Sequence, residues 1–223
     1  TVSESTLALA PGAEVLEDLP IEQYHRRPGI GRSQLSVLQR WAEEYAAIYV
    51  HGYADPPKQS DCLDRGSGLH ALLLQPGKFQ ELVAIQPKGM IRKGARRNAF
   101  KRANAGKTIL RVTGKKGGAE SIAKMAISVN HRAGALLSTA GWRELSVFAN
   151  VELQGVGLDE FRIAPRDGLL RVLAKCRPDL MIELANGELL LIDVKTCANL
   201  DKFDTSAKQF MYWLQGAHYC EVV

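Results

Sequence analysis

The chain has 223 residues, 46% of them apolar, with 29 basic and 24 acidic side chains and a formal net charge of +5. That length and apolar content suit one domain, or one domain with an appended arm, and suffice for a core. No stretch is long and apolar enough to span a membrane, and Cys62, Cys176, Cys197 and Cys220 lie far apart without a CxxC pair, against a zinc ribbon or a disulfide scaffold.

Residues 1–20 mix Ser, Ala, Glu, Pro and Gly without sustained periodicity and read as a flexible leader, with a single domain expected over 21–223. Ser33 can cap a helix running to about Val50, with Leu35, Leu38, Trp41 and Ala42 on its buried face. Asp55-Pro56-Pro57 breaks the chain before a helix that carries His70 and ends at Gln75-Pro76-Gly77. On its own, a histidine on so apolar a helix reads as a core residue.

Between Glu81 and Glu120 there is no acidic residue, while Lys88, Arg92, Lys93, Arg96, Arg97, Lys101, Arg102, Lys107, Arg111, Lys115 and Lys116 all fall there. The rest of the chain is acidic on balance, so the basicity is concentrated in an insertion at about 88–118. Phosphate binding accounts for such a block better than a solvated face does, and its Gly, Asn and Thr content suggests a loop or short helix that orders on DNA. No RNA-binding aromatic motif or helix-turn-helix signature accompanies it. A helix is expected near Ser121–Leu137, followed by strands from about Arg143.

Arg177-Pro178-Asp179, a turn at Asn186-Gly187, and Asp193-Val194-Lys195 at the end of the apolar run Leu189-Leu190-Leu191-Ile192 form the most informative stretch. Residues two apart on a strand share a face, so Asp193 and Lys195 point the same way. Such a pair can be a structural ion pair at a strand end. It can also serve a divalent metal, since Mg²⁺ takes hard oxygen ligands and needs only one or two protein carboxylates. A two-residue turn at Asn186-Gly187 would pair Asp179 with Val194 and turn Asp179 away from the other two. A three-residue loop, Ala185 to Gly187 with Gly187 left-handed, would pair Asp179 with Asp193. The metal reading requires that loop or a bulge.

From about Asp201 an amphipathic helix is expected, with Phe203, Ala207, Phe210, Leu214 and Ala217 on one face. Lys208, Tyr212, Gln215 and Tyr219 fall on an adjoining face, which is either a solvated flank or the lining of a cleft.

Taken together, these segments resemble the exonuclease VIII (RecE-type) branch of the PD-(D/E)XK nucleases. The similarity runs through Ile21-Glu22-Gln23-Tyr24-His25 and Gly31-Arg32-Ser33-Gln34-Leu35, then a GxxxH helix at Gly66–His70. It continues through Glu144-Leu145-Ser146-Val147-Phe148, read as a Glu-bearing strand, to Arg177-Pro178-Asp179, Asp193-Val194-Lys195-Thr196 and a QxxxY helix at Gln215–Tyr219. The resemblance implies an α/β restriction-endonuclease-like core, a mixed central sheet flanked by helices. It implies that Asp179, Asp193, the backbone carbonyl of Val194 and His70 hold Mg²⁺, for which Mn²⁺ can substitute. Lys195 would be the catalytic lysine, Glu144 would lie near the metal or the scissile phosphate, and Gln215 and Tyr219 would shape the substrate side. Arg92, Lys93, Arg96, Arg97, Lys101, Arg102 and Lys208 are the expected DNA contacts.

The implied activity is degradation of linear double-stranded DNA from its ends, 5′ to 3′, leaving single-stranded tails for recombination. The implied setting is the cytoplasm of a bacterial cell, phage- or prophage-encoded, with a single-strand annealing protein as partner and a ring-shaped homo-oligomer. The alternatives are an endonuclease of the same superfamily, which uses the same residues, and a DNA-binding or assembly module that retains the fold but does not cut; intact Asp179, Asp193 and Lys195 favour the enzyme. The family continues past the QxxxY helix with another strand, and Glu221-Val222-Val223 reads as its start, so a sheet edge is expected beyond this chain.

Overall fold

The structure, a computed structural model, describes residues 9–53, 61–90, 94–112, 118–129, 131–153, 170–197 and 200–223. In chain order the elements are β1 (Glu14–Leu16), α1 (Ile21–Arg26), α2 (Arg32–Arg40), α3 (Ala42–Tyr45) with a π-helical turn at Ala46–Val50, α4 (Asp61–Leu74), α5 (Phe79–Leu82) and β2 (Val83–Gln86). There follow α6 (Ala95–Ala103), β3 (Thr108–Arg111), α7 (Ala119–Ile127), α8 (His131–Ser138), β4 (Trp142–Arg143), β5 (Ser146–Leu153), β6 (Leu170–Cys176), β7 (Leu180–Glu183), β8 (Leu189–Ile192), α9 (Phe203–Gln209) and α10 (Tyr212–Val222). This is a mixed α/β chain whose strands form small sheets. No helix among the described residues is long and apolar enough to cross a membrane. Two compact units emerge: one from Thr1–Pro56, Glu144–Asp193 and Cys197–Val223, the other from Pro57–Arg143 with Val194–Thr196.

The first unit is organised by β5. It pairs antiparallel with β1, matching Val15 to Val147, and with β6, matching Val147 to Cys176 and Ala149 to Ala174. Alternation along the strands sends Val147, Ala149, Ala174 and Cys176 to one face, where Tyr219 and Val222 of α10 complete a core. Each large side chain buried there contributes about 1.5–3 kcal/mol. On the opposite face Phe148 meets the ring of Tyr24 from α1 at 5.8 Å, and its cross-strand partner Lys175 is buried. Lys175 Nζ donates to the carbonyls of Tyr24 at 3.0 Å, His25 at 3.2 Å and Arg27 at 2.6 Å. It thereby satisfies the orphan carbonyls at the end of α1, and burial lowers its pKa. Residues 14–16, within the stretch read as a leader, are thus part of the sheet.

The second unit packs α4 and α7 on a parallel pair, β2 and β3, around Leu69, Val83, Leu110 and Ile122. Gly68 permits the approach: a Cβ there would lie 2.7 Å from Leu110 Cδ1 and 2.8 Å from Ile122 Cδ1. Parallel strands require a crossover, and α6 is that crossover. Residues 94–111 of the basic interval therefore supply the helix and second strand of a β–α–β element built into this unit.

Two helical expectations and one strand expectation are corrected. The helix after Gly31 starts at Arg32, not after Ser33, and Gln34 Oε1 accepts from the Gly31 N–H at 2.7 Å. It breaks at Trp41, so the buried residues are Ser36 and Val37, while Trp41 is 65% exposed and Leu38 and Ala42 are also exposed. The segment from Asp201 is not one helix. Met211, at φ 51° and ψ 51°, ends α9 and starts α10. That break shifts the phase, so Gln215, His218, Tyr219 and Val222 are buried, whereas Phe203 and Phe210 are exposed. Glu221 and Val222 close α10 and do not begin a strand.

Candidate functional site

β7 and β8 pair Leu180 with Ile192, Met181 with Leu191, Ile182 with Leu190 and Glu183 with Leu189. The next pair toward the turn is closed by a bond from the Leu184 N–H to the Glu188 carbonyl at 2.8 Å. Ala185, Asn186 and Gly187 are the loop, with Gly187 left-handed at φ 81° and its N–H bonded to Leu184 O at 2.9 Å. The Asn186 side chain accepts from the Glu188 N–H at 3.1 Å, an Asx turn that fixes the corner. This is the three-residue loop, and the two-residue turn does not form. The ladder ends at Leu180 and Ile192; continued one step, this register, and not that of a two-residue turn, would oppose Asp179 to Asp193 and give them one face. Asp179 is 5% exposed, and Asp193 is half-buried.

Glu144, expected on a strand, instead precedes β5 in left-handed backbone conformation at φ 54°. That conformation costs a residue with a Cβ roughly 1–2 kcal/mol, and it persists where surrounding bonds over-determine it. Here the Glu144 N–H donates to the Asp179 carbonyl at 3.1 Å, and its carboxylate receives Arg177 Nε at 2.9 Å. The side chains of this ion pair are 13% and 21% exposed for Arg177 and Glu144. One carboxylate oxygen of Glu144 and one of Asp179 lie within 4.8 Å of each other. The arrangement gathers acidic oxygens in a sheltered place and fixes one of them with a guanidinium.

α10 secures the other carboxylate. Gln215, 7% exposed, donates from Nε2 to Asp193 Oδ1 at 2.7 Å and to the Tyr219 hydroxyl at 2.8 Å. Tyr219 in turn donates to the Arg177 carbonyl at 3.3 Å. Burial first, then the negative charge of Asp193, raises the Tyr219 pKa far above that of an ordinary phenol, and the bond from Gln215 offsets only part of this. Tyr219 is thus a neutral donor at any physiological pH. Asp193, Gln215, Tyr219 and the Arg177 carbonyl form one hydrogen-bonded chain, and the Arg177 side chain separately holds Glu144. Of the expected stripe, Gln215 and Tyr219 face the carboxylates, while Lys208 stands exposed on α9.

In the second unit, His70 Nε2 lies 2.7 Å from the carbonyl oxygen of Val194. A carbonyl can only accept, so in a hydrogen bond Nε2 carries the proton. An imidazole nitrogen and a carbonyl oxygen are also groups that could hold a divalent cation. Lys195 is half-buried. On α6, Arg96, Lys101 and Arg102 are exposed and Arg97 is partly buried. Lys101 and Arg102 occupy the last turn, where the helix dipole favours cations. Arg92 and Lys93 lie outside the described residues.

Sequence reasoning reaches Arg177 only as part of Arg177-Pro178-Asp179. Its place beside Glu144 has no local signal, because the partners are 33 positions apart. Lys175 reads in sequence as no more than one charge in an apolar strand. Comparison with protein-family models gives no match for this chain, and comparison with curated proteins gives none either.

Proposed function

We propose that the protein is a metal-dependent deoxyribonuclease that degrades linear double-stranded DNA from its ends, 5′ to 3′. The observation that supports this reading most is the three-residue hairpin loop, whose register continued one step would oppose Asp179 to Asp193, with Gln215 holding Asp193 by its carboxylate. The donors are hard oxygens, with Asp179 sheltered from solvent, and this chemistry suits Mg²⁺ or Mn²⁺. Asp179 and Asp193 would hold the ion, and the resemblance to RecE-type nucleases adds the Val194 carbonyl and His70. Such an ion, when bound, supplies charge neutralisation at the phosphate and lowers the pKa of water.

The chain's own groups divide the remaining work. Gln215 keeps Asp193 oriented, and Tyr219 keeps Gln215 oriented. Arg177 holds Glu144 in place near Asp179. Lys195 is assigned to orienting the attacking water and steadying charge on the phosphate as it develops. Arg96, Lys101 and Arg102 attract the phosphate backbone without reading bases, as a nuclease acting on any end requires. In this reading the single-stranded product passes to an annealing protein in a bacterial cytoplasm, and a ring of copies tracks the duplex.

The test is to incubate end-labelled linear duplex and closed circular plasmid with Mg²⁺. Loss of linear DNA with the circle intact, and early loss of a 5′ label, is expected. Cutting of the circle would replace this reading with an endonuclease. Binding of both without any cutting would replace it with a non-cleaving DNA-binding module.

A further inference from the structure

Residues 200–213 expose more aromatic surface than a solvated helix flank needs. Phe203, Phe210 and Trp213 are 38%, 49% and 60% exposed. Phe210 and Tyr212 are stacked, with centroids 6.1 Å apart and planes 22° from parallel, and Phe203 lies 6.0 Å from Tyr212. Residues two apart on a continuous helix project about 200° from one another and cannot stack. They stack here because Met211 between them is left-handed, a conformation that costs a residue with a Cβ and that often marks a working part of a protein. Arg32 holds the break from outside, its guanidinium donating to the Phe210 carbonyl, while the Met211 carbonyl accepts from the N–H groups of Leu214 and Gln215 in α10 itself at 3.1 and 3.3 Å.

The platform adjoins the carboxylates. Tyr212 and Gln215 are three apart on α10 and so share a side, and Gln215 is bonded to Asp193. Burial chiefly raises the Tyr212 pKa, with Arg32 opposing and Asp193 reinforcing, which puts both charges within its electrostatic reach. Cations also gather at this end: Arg32 at the Phe210 carbonyl and Lys208 in the last turn of α9. Asp201 and Asp204 flank Phe203 in sequence, Asp204 being about 9 Å of helix back from Phe210, so the cationic end of the platform is that of Phe210 and Tyr212.

We propose that Phe203, Phe210 and Tyr212 form a stacking platform for the bases of an unpaired DNA strand next to Asp193, with Arg32 and Lys208 serving its phosphates. The proposal rests on the nuclease reading for its location but not for its test. Aromatic faces accept any base, because every base has a π-face. An enzyme working inward from a duplex end must part the terminal pairs, and a platform of this kind holds the freed bases.

Binding of a short fluorescently labelled oligothymidine, and of a blunt duplex of equal length, is measured with Ca²⁺ replacing Mg²⁺ so that nothing is cut. The Phe210→Leu/Tyr212→Leu double variant should weaken single-strand binding by roughly 5- to 150-fold, with the salt slope kept because no cation is removed. Duplex affinity should be unchanged, Phe210→Trp should retain single-strand binding, and a fluorescent purine analogue quenched by the wild type should stay bright in the double variant. Phe203→Leu, at a partly exposed site, should give a smaller loss in the same direction and guards against misfolding of the double variant. Unchanged single-strand affinity and quenching in both variants would overturn the proposal and leave the rings to a protein partner. An equal loss for duplex and single strand would overturn it in favour of a structural role. If the wild type cuts nothing but the aromatic dependence holds, the nuclease reading fails alone. If it cuts normally without that dependence, the platform fails alone.

Discussion

The hairpin of β7 and β8 and the crossover helix α6 use charge in opposite ways. Around the hairpin, Asp179 is buried and Asp193 half-buried. Two carboxylates there are tied down by named donors: Asp193 by Gln215 and Glu144 by Arg177. On α6, Arg96, Lys101 and Arg102 project into solvent. Burial makes electrostatics strong and positional, because low local dielectric magnifies both the gain of a correct contact and the cost of a wrong one. Exposure makes electrostatics weak per contact, additive and sensitive to salt. The first arrangement suits chemistry on one phosphate, and the second suits attraction to many.

The contrast breaks most visibly if the buried charges prove dispensable. Asp193→Asn keeps an oxygen to accept from Gln215 but removes the negative charge, so the fold should stay intact. Cleavage of linear duplex should fall by about 10²–10³-fold or more, in line with loss of a main stabiliser of the transition state. Lys195→Ala should do the same. Near-normal turnover in either, with the melting temperature unchanged, would sink the assignment. Ca²⁺ should bind the wild type without supporting turnover, since its looser coordination positions water poorly.

A milder test addresses the exposed side. Replacing Arg96, Lys101 and Arg102 together by Gln should weaken binding to unrelated duplexes about equally. It should flatten the slope of log K against log salt by up to about 2.7, since each phosphate that a cation neutralises adds about 0.9 to that slope. Arg97 is left in place because its Nε is sheltered from solvent. Turnover at saturating DNA and low salt should survive. Should the triple variant keep its salt slope, α6 is a solvated face and the two regions do not divide the work in this way.

The two regions also differ in how far the sequence discloses them. Asn186-Gly187 carries enough turn chemistry to confine the hairpin to two registers, and the structure selects the one with the three-residue loop Ala185 to Gly187. The eleven cations between Glu81 and Glu120 are legible as a block, but nothing local shows that parallel strands flank them, because β2 and β3 pair across a separation of some 25 residues. The phase of α10 is hidden for a different reason. Methionine seldom adopts a left-handed backbone, so no propensity argument breaks a helix at Met211, and an unbroken helix puts the residues beyond it on the wrong face. The Arg177–Glu144 pair and the Lys175 cap are likewise non-local: each depends on which strands the fold makes neighbours.

The smallest expected effect is on stability, and it belongs to the buried side of the comparison. His218 is buried on α10 with its Nε2 3.0 Å from the Lys175 carbonyl; a carbonyl only accepts, so the neutral ring already donates there. Burial chiefly lowers its pKa below the ordinary histidine value, the backbone bond opposing. His25 on α1 shifts the same way through burial and then the nearby Lys175 and Arg177 charges. With a folded-state pKa below the unfolded one, the unfolded chain takes up protons first as pH falls. Stability should therefore decline from just above the ordinary value of about 6.5 and level off only below the depressed folded-state value. His218→Gln keeps a donor for the Lys175 carbonyl but cannot titrate. Melting temperatures measured across this window should fall less steeply in the variant than in the wild type, with His25 keeping its own share of the slope. Identical slopes would mean that His218 is not held neutral by burial, and that the α10 side of the sheet is wetter than its packing implies.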